Sequence, residues 1–163
     1  MKNITINIPV CIKQENELSQ QDLLLVNQAK EATFRSYAPY SHFYVGAAVL
    51  LSNGVIVTRS NQENAAYPSG TCAERTTVFY ANSQYPDQAI TKIAVAARGT
   101  DGNFLTGPIP PCGACRQVLI EYEKKGGCNI EVMLYGTAGT YCLQSVKDLL
   151  PLTFDESYLF SEK

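Results

Sequence analysis

The apolar positions change period along the chain, and each change marks an element. Ile4, Ile6, Ile8, Val10 and Ile12 recur every second residue, the period of a half-buried strand. Residues 1–17 therefore read as an N-terminal extension that supplies an edge strand or an oligomer contact, or that is a partly ordered tail. Ser19 followed by Asp22 has the form of a helix start with serine as N-cap. The stretch from Gln20 to Ser36 then carries a helix. Pro39 marks its latest end, because the residue before a proline is pushed out of the α region. The runs FYVGAAVLL (43–51) and VIVTRS (55–60) flank Ser52-Asn53-Gly54. Asn-Gly between two β-type runs predicts a hairpin.

A loop at 61–70 leads to a second helix, predicted from about Thr71 to Asn82. Three more strands are predicted at Thr91–Ala97, Asn129–Tyr135 and Thr140–Leu143, with a helix from about Cys112 to Lys124 between the first two. Ser145 with Asp148 opens a short last helix that Pro151 stops. Helices interleaved with strands predict an α/β fold. It is a three-layer α/β/α sandwich around a mixed five-stranded sheet, a single domain over residues 18–163.

Composition narrows the function classes. A chain of 163 residues suits one domain, and 45% apolar with 17% charged residues is ordinary for a globular protein. The net charge is −2 and the pI about 5.4. Arg98 and the pair Lys124-Lys125 stand isolated, so no basic stripe is offered to a polynucleotide. The first residues alternate instead of forming an apolar leader core, and no run approaches the ~18 apolar residues of a membrane span. The expected partner is thus a small molecule, not nucleic acid or membrane, and the expected compartment is the cytoplasm. Thiols stay reduced there, so the six cysteines read as metal ligands or buried thiols more than as a disulfide framework.

Two short stretches carry the chemistry: Thr71-Cys72-Ala73-Glu74-Arg75 and Pro111-Cys112-Gly113-Ala114-Cys115-Arg116. Each opens a predicted helix. Cys112 and Cys115 are three apart and share a helix face. A helix start favours thiolate, the form that binds zinc. Cys72 can supply a third sulfur, leaving a fourth position open, as in catalytic zinc sites. Glu74, two residues after Cys72, does not share its face. It stands beside the metal as a proton carrier for water whose pKa zinc lowers to roughly 7. Alone, Thr71-x-x-Glu74 also fits a capping box. Combined with Pro-Cys-x-x-Cys, it matches the zinc-deaminase pattern of Glu two residues after the first ligand.

These motifs resemble the short-chain, homotetrameric, zinc-dependent cytidine deaminases. The likeness runs from about Asp22 to about Phe160. It takes in Tyr37 to Phe43, Val45-Gly46-Ala47-Ala48, Asn61 to Ala65, Cys72 to Arg75, Pro111 to Gln117 and Leu149-Leu150-Pro151. The extension before Leu18 and Tyr44 depart from it. The resemblance implies one zinc per subunit and hydrolysis of cytidine and 2′-deoxycytidine to uridine and 2′-deoxyuridine, with ammonia released, in pyrimidine salvage. It further implies that Asn61 and Glu63 hold the ribose 3′-hydroxyl. Amide plus carboxylate suits a group that both donates and accepts, and the carboxylate would repel a phosphate. Phe43 would pack against the pyrimidine, unless it is simply core. The backbone at Ala73 would polarise the ring carbonyl. Arg75 would offset the charge of three thiolates on one metal, unless it is a surface ion-pair residue. Tyr67 and Phe154 would lie near the site, Phe154 reaching in from a neighbouring subunit.

Other residues read as bystanders. His42, the one histidine, falls in a turn. Cys128 as a fourth ligand would close the site into a structural one. Cys11 and Cys142 read as small apolar fillers. The alternatives to cytidine are a deaminase of another aminopyrimidine nucleoside such as blasticidin S, an inactive structural zinc module in which Glu74 only caps, and a nucleic-acid editing enzyme.

Overall fold

The computed structural model describes residues 1–159; residues 160–163, the end of the expected domain, lie outside the described residues. Strands β1 (Cys11–Lys13), β2 (Tyr44–Leu51), β3 (Ile56–Ser60), β4 (Ile90–Arg98), β5 (Glu131–Leu134) and β6 (Thr140–Leu143) form one sheet in the order β1-β6-β5-β4-β2-β3. Among the described residues, only the β4–β5 pair of strands is parallel. Helix α3 (Gly113–Gly126) supplies the crossover that a parallel pair requires. Helix α1 (Gln20–Ala32) covers one face, and α2 (Ala73–Gln84) with α3 covers the other. Strand β2 shows the alternation. Val45, Ala47, Val49 and Leu51 join the α2–α3 core, while Ala48 and Leu50 meet Leu25, Val26 and Ala29 of α1. The three-layer sandwich is as expected.

The sheet has six strands, not five. Residues 11–13 of the extension pair with β6 and cover an edge that would otherwise present unpaired backbone groups. The pairing stops at Cys11 opposite Cys142, one residue short of the end of β6. Ile4, Ile6, Ile8 and Val10 remain exposed and outside any regular element.

Local chemistry explains most element ends. Ser19 caps α1, its Oγ accepting from the Asp22 N–H at 3.1 Å. The helix stops earlier than Ser36, passing into a 3₁₀ turn at Thr33–Arg35. In the hairpin, Leu51 O accepts from Gly54 N–H at 2.9 Å, and Gly54 sits at φ +84°, where a side chain is disfavoured. Helix α2 begins one residue later than the capping-box reading needs. Its N-cap is Cys72, and no side chain caps it, so Thr71 and Glu74 do not form that box. The expected last helix is a 3₁₀ turn at Val146–Leu149.

The fold gathers the functional stretches at one end. Both β3 and β4 run antiparallel to β2, so they point the same way. Their carboxyl ends lie beside the start of β2, where Tyr44 pairs with Arg98. Ligand crevices of open α/β sheets form at such ends. Gly46 lets α1 approach closely. A Cβ there would come within 2.2 Å of the Ala29 carbonyl oxygen and 2.6 Å of the Thr33 nitrogen.

Candidate metal centre and adjoining cleft

Cys72 and Cys112 are the N-caps of α2 and α3, both in extended backbone with ψ of 153° and 165°. Neither thiol caps its own helix, so both sulfurs are free to meet. The Sγ atoms of Cys72 and Cys112 lie 3.8 Å apart, and those of Cys112 and Cys115 lie 3.4 Å apart. All three fall within 4.8 Å of one another. Tetrahedral zinc with Zn–S bonds near 2.3 Å sets its sulfurs about 3.8 Å apart. The triad fits zinc by spacing and by chemistry. Cys128 stays away: its thiol lies against Ile90 O, at the opposite end of β4, roughly 25 Å off along the strand. His42 is exposed in a turn at φ +51°.

The charge state of the triad follows from its contacts. A hydrogen bond from Cys115 brings the Cys72 thiol down to about 5. Burial opposes this, and Arg75 and Cys112 reinforce it. Cys115 holds its proton far above the ordinary thiol range, because it donates to Cys72, is buried, and faces Glu74. Arg75 donates Nη2 to Cys72 Sγ at 3.9 Å, and that bond, against burial, raises its own pKa. Its Nε is buried and has no hydrogen-bond partner among the described residues. The guanidinium is thus aimed at sulfur and not at a surface carboxylate. Glu74 is 4% exposed. Burial pushes its carboxyl above the ordinary range, with the Cys72 charge adding to the effect. Ala73, fully buried, occupies the first position of α2, where the N–H has no intrahelical acceptor.

A cleft of about 460 Å³ adjoins the triad, lined by Tyr40, Asn61, Glu63, Tyr67, Cys72 and Arg75 among others. That volume lies in the range of small-molecule sites. Asn61 follows β3 directly. Its Oδ1 accepts from Val45 N–H and its Nδ2 donates to Phe43 O, each at 2.9 Å. The amide therefore clamps the start of β2. Glu63 accepts from Tyr40 N–H at 2.9 Å, from Ser41 N–H at 3.3 Å and from the Ser41 hydroxyl. The Ser41 hydroxyl first, then the Tyr40 N–H, hold this carboxyl below the ordinary range. Tyr67 is 78% exposed and meets Tyr40 edge to face. Phe43 packs against the α2–α3 core and does not line the cleft. Phe154 is also absent from this chain's own cleft. It is 56% exposed and stacks on Tyr158 at 5.8 Å.

Several contributing residues were not singled out from the sequence. Ser41 orients Glu63. Arg116 donates Nε to Pro111 O and Nη1 to Leu149 O, both at 2.7 Å, bracing the loop before Cys112. Gln117 donates to Phe154 O at 2.9 Å. The run Cys115-Arg116-Gln117 at a helix start was the available signal: side chains there face the same end of the molecule as the ligands. Glu123, buried at the far end of α3, accepts from Ile130 N–H and Ser145 Oγ, both at 2.8 Å, and from Val146 N–H at 3.1 Å. Cys11 is exposed, not a buried filler, and Cys142 is half-buried. On a three-residue edge strand nothing covers the outer face of Cys11.

Three cysteine sulfurs spaced to hold one metal ion, beside a buried carboxyl at the carboxyl end of an α/β/α sheet, have the make-up of a zinc hydrolytic centre. The family profile described as the cytidine and deoxycytidylate deaminase zinc-binding region matches residues 19–127, and the chain belongs to that family. A cytidine deaminase of Halalkalibacterium halodurans is 38% identical over 131 residues, covering 80% of this chain and 92% of that protein. The crystal structure of a cytidine deaminase from Burkholderia pseudomallei superposes with a TM-score of 0.68 at 39% identity, covering 84% of this chain and all of that one. A blasticidin-S deaminase of Bacillus cereus is 28% identical over 138 residues, covering 84% of this chain and 94% of that protein.

Proposed function

We propose that this chain hydrolyses cytidine and 2′-deoxycytidine to the corresponding uridines, releasing ammonia, as a step of pyrimidine salvage. The observation that carries this reading is the meeting of the Cys72, Cys112 and Cys115 sulfurs beside buried Glu74 at the edge of a nucleoside-sized cleft. Zinc, when bound, supplies a Lewis acid that lowers the pKa of a water to roughly 7. Glu74 takes a proton from the attacking water, passes it to ring N3, and assists protonation of the leaving amine. Addition at C4 and loss of the amine balance as nucleoside plus water giving deaminated nucleoside plus ammonia. The Ala73 N–H is a donor for the ring carbonyl.

Asn61 and Glu63 hold the ribose, Asn61 through the second lone pair and second N–H that its bonds to Val45 and Phe43 leave over. Three donors from residues 40 and 41 already fix Glu63, leaving its remaining lone pairs preorganised for a hydroxyl and hostile to a phosphate. Tyr67 flanks the cleft mouth, and Phe43, packed into the core, anchors the start of β2 that Asn61 clamps beside the cleft. Exposed Phe79, Tyr80 and Phe154 support assembly as a homotetramer in which Phe154 meets a neighbour's cleft. A centre of three thiolates suits the reducing cytoplasm. Among the described residues, no helix is long and apolar enough to cross a membrane.

The test is ammonia release from cytidine, 2′-deoxycytidine, dCMP and blasticidin S, with zinc quantified on the same sample. Glu74→Gln should retain one zinc and lose about 10²–10⁴ in turnover. Unchanged turnover overturns the mechanism, and preference for dCMP or blasticidin S overturns the substrate assignment.

A further inference from the structure

The second place where cysteines face each other lies outside the catalytic end. Strand β1 pairs antiparallel with β6, with Cys11 directly opposite Cys142. Opposed residues in such a pair have Cα atoms about 4.5–5.5 Å apart and side chains on one face. A disulfide needs a Cα separation of about 4.4–6.8 Å. Both thiols are free. The register thus puts the two backbones within disulfide range, and closure turns the Cys142 sulfur away from Thr140 O, against which it lies in the free pair. Cys11 is exposed and Cys142 half-buried, so one thiol is open to an incoming reagent and the other is placed to follow it.

The extension is otherwise lightly held. Beyond the three paired residues, its ties include a hydrogen bond from Gln14 Nε2 to Ala138 O at 3.2 Å and the Lys30–Glu15 ion pair at 3.1 Å. Exposed ties of this kind hold weakly. The extension also precedes the family match, which begins at residue 19.

We propose that Cys11 and Cys142 are a reversible redox site that staples the extension to the sheet by disulfide exchange with a low-molecular-weight disulfide. The Cys11 thiolate attacks one sulfur of the reagent and expels the first small thiol, leaving a mixed disulfide. The Cys142 thiolate then attacks the Cys11 sulfur and expels the second. The protein dithiol is oxidised by two electrons, the reagent is reduced to two thiols, and the two protons pass through solvent to the departing thiolates. The bond closes a loop spanning most of the chain, the case in which a crosslink restricts the unfolded state most.

The test uses the full-length, zinc-loaded protein, whose metal shields Cys72, Cys112 and Cys115. Incubation with oxidised glutathione, alkylation and non-reducing tryptic mapping should give peptide 3–13 linked to peptide 126–147. Cys128→Ser must keep the link, since Cys128 shares the second peptide, and Cys142→Ser must abolish it. Oxidation should raise Tm by on the order of 5 °C, reversibly on reduction. Cys11→Ser should show no rise and unchanged turnover. A stable glutathione adduct on Cys11 without closure overturns the proposal. So does a link through Cys128, or a link with no gain in Tm.

Discussion

Two regions of this molecule bring cysteines side by side, and they differ in what surrounds the sulfur. At the carboxyl end of β3 and β4, Cys72, Cys112 and Cys115 converge from two helix starts. An arginine donates to one sulfur, and a buried carboxyl stands beside them. At the β1–β6 edge, Cys11 and Cys142 face each other across an antiparallel ladder, and the one sulfur opposite Cys142 on its other side is the thioether of Met133, not a thiol. The first arrangement stabilises the Cys72 thiolate through hydrogen bonds from Cys115, Arg75 and Cys112, and it surrounds a point in space. The second has no helix start, and burial raises its inner thiol, Cys142. Cysteine count alone says little. Whether sulfurs surround a point or lie on a plane, and what field they feel, separates metal chemistry from disulfide chemistry.

The comparison can be broken most decisively by substituting one sulfur in each region. Cys112→Ser should abolish stoichiometric zinc and turnover, measured by metal analysis and ammonia release. Cys11→Ser should leave both unchanged. Retention of full zinc by the first variant would end the assignment of the triad. Next in size, Arg75→Gln should weaken zinc binding by about 10–100-fold, read as faster transfer of zinc to a chelator. An unchanged transfer rate would mean that the guanidinium does not offset the sulfur charge. Smaller still, Glu63→Gln should raise KM for cytidine by about tenfold and narrow the discrimination against dCMP.

The smallest effect concerns the ion pairs near the β1–β6 edge. Lys92 reaches Asp22 at 2.7 Å and Glu131 at 3.2 Å. Burial pushes the Asp22 carboxyl up, but hydrogen bonds from Lys92 and Ser19 and the Lys92 charge outweigh it, leaving the pKa lowered. Burial likewise pulls Lys92 down, and the two carboxylates outweigh it, leaving it raised. A lowered carboxyl contributes stability above its unfolded pKa of roughly 3.9, and loses it as pH falls through the folded value. A raised lysine contributes fully below roughly 10.4 and loses that as pH rises through its folded value. Asp22→Asn should therefore lower Tm by about 2 °C at pH 7. The difference should shrink as pH falls below the ordinary aspartate range and through the lowered pKa of Asp22, as thermal scans across pH would show.

Local signals were legible and long-range ones were not. The Ser19 cap, the Asn53-Gly54 hairpin and β6 lay where short-range chemistry places them, because each depends on a few adjacent residues. The start of α2 was expected at about Thr71 and lies two residues later at Ala73, since Thr71 and Cys72 are both plausible last extended residues and only the site needs a cysteine there. The period of two over residues 4–12 left an edge strand, an oligomer contact and a tail equally open, and of its five apolar residues only Ile12 lies in the sixth strand, β1. Phe43 illustrates the same limit. Its position at the head of β2 was clear, whereas its packing into the α2–α3 core depends on side chains far along the chain.

The sequence by itself determined which residues can do chemistry here: a Cys-x-Glu and a Cys-x-x-Cys, each opening a helix, with the proton carrier two residues from a ligand. Spacing along one helix turn is a local property, and it survives without knowledge of the fold. The tertiary structure alone decided that the three sulfurs meet, that Asn61 spends both ends of its amide on β2, that Ser41 and Tyr40 preset Glu63, and that Cys11 faces Cys142. Each of these joins segments brought together only when burial of both sheet faces sets strand order and register, because a register shift of one residue would turn every side chain to the other face.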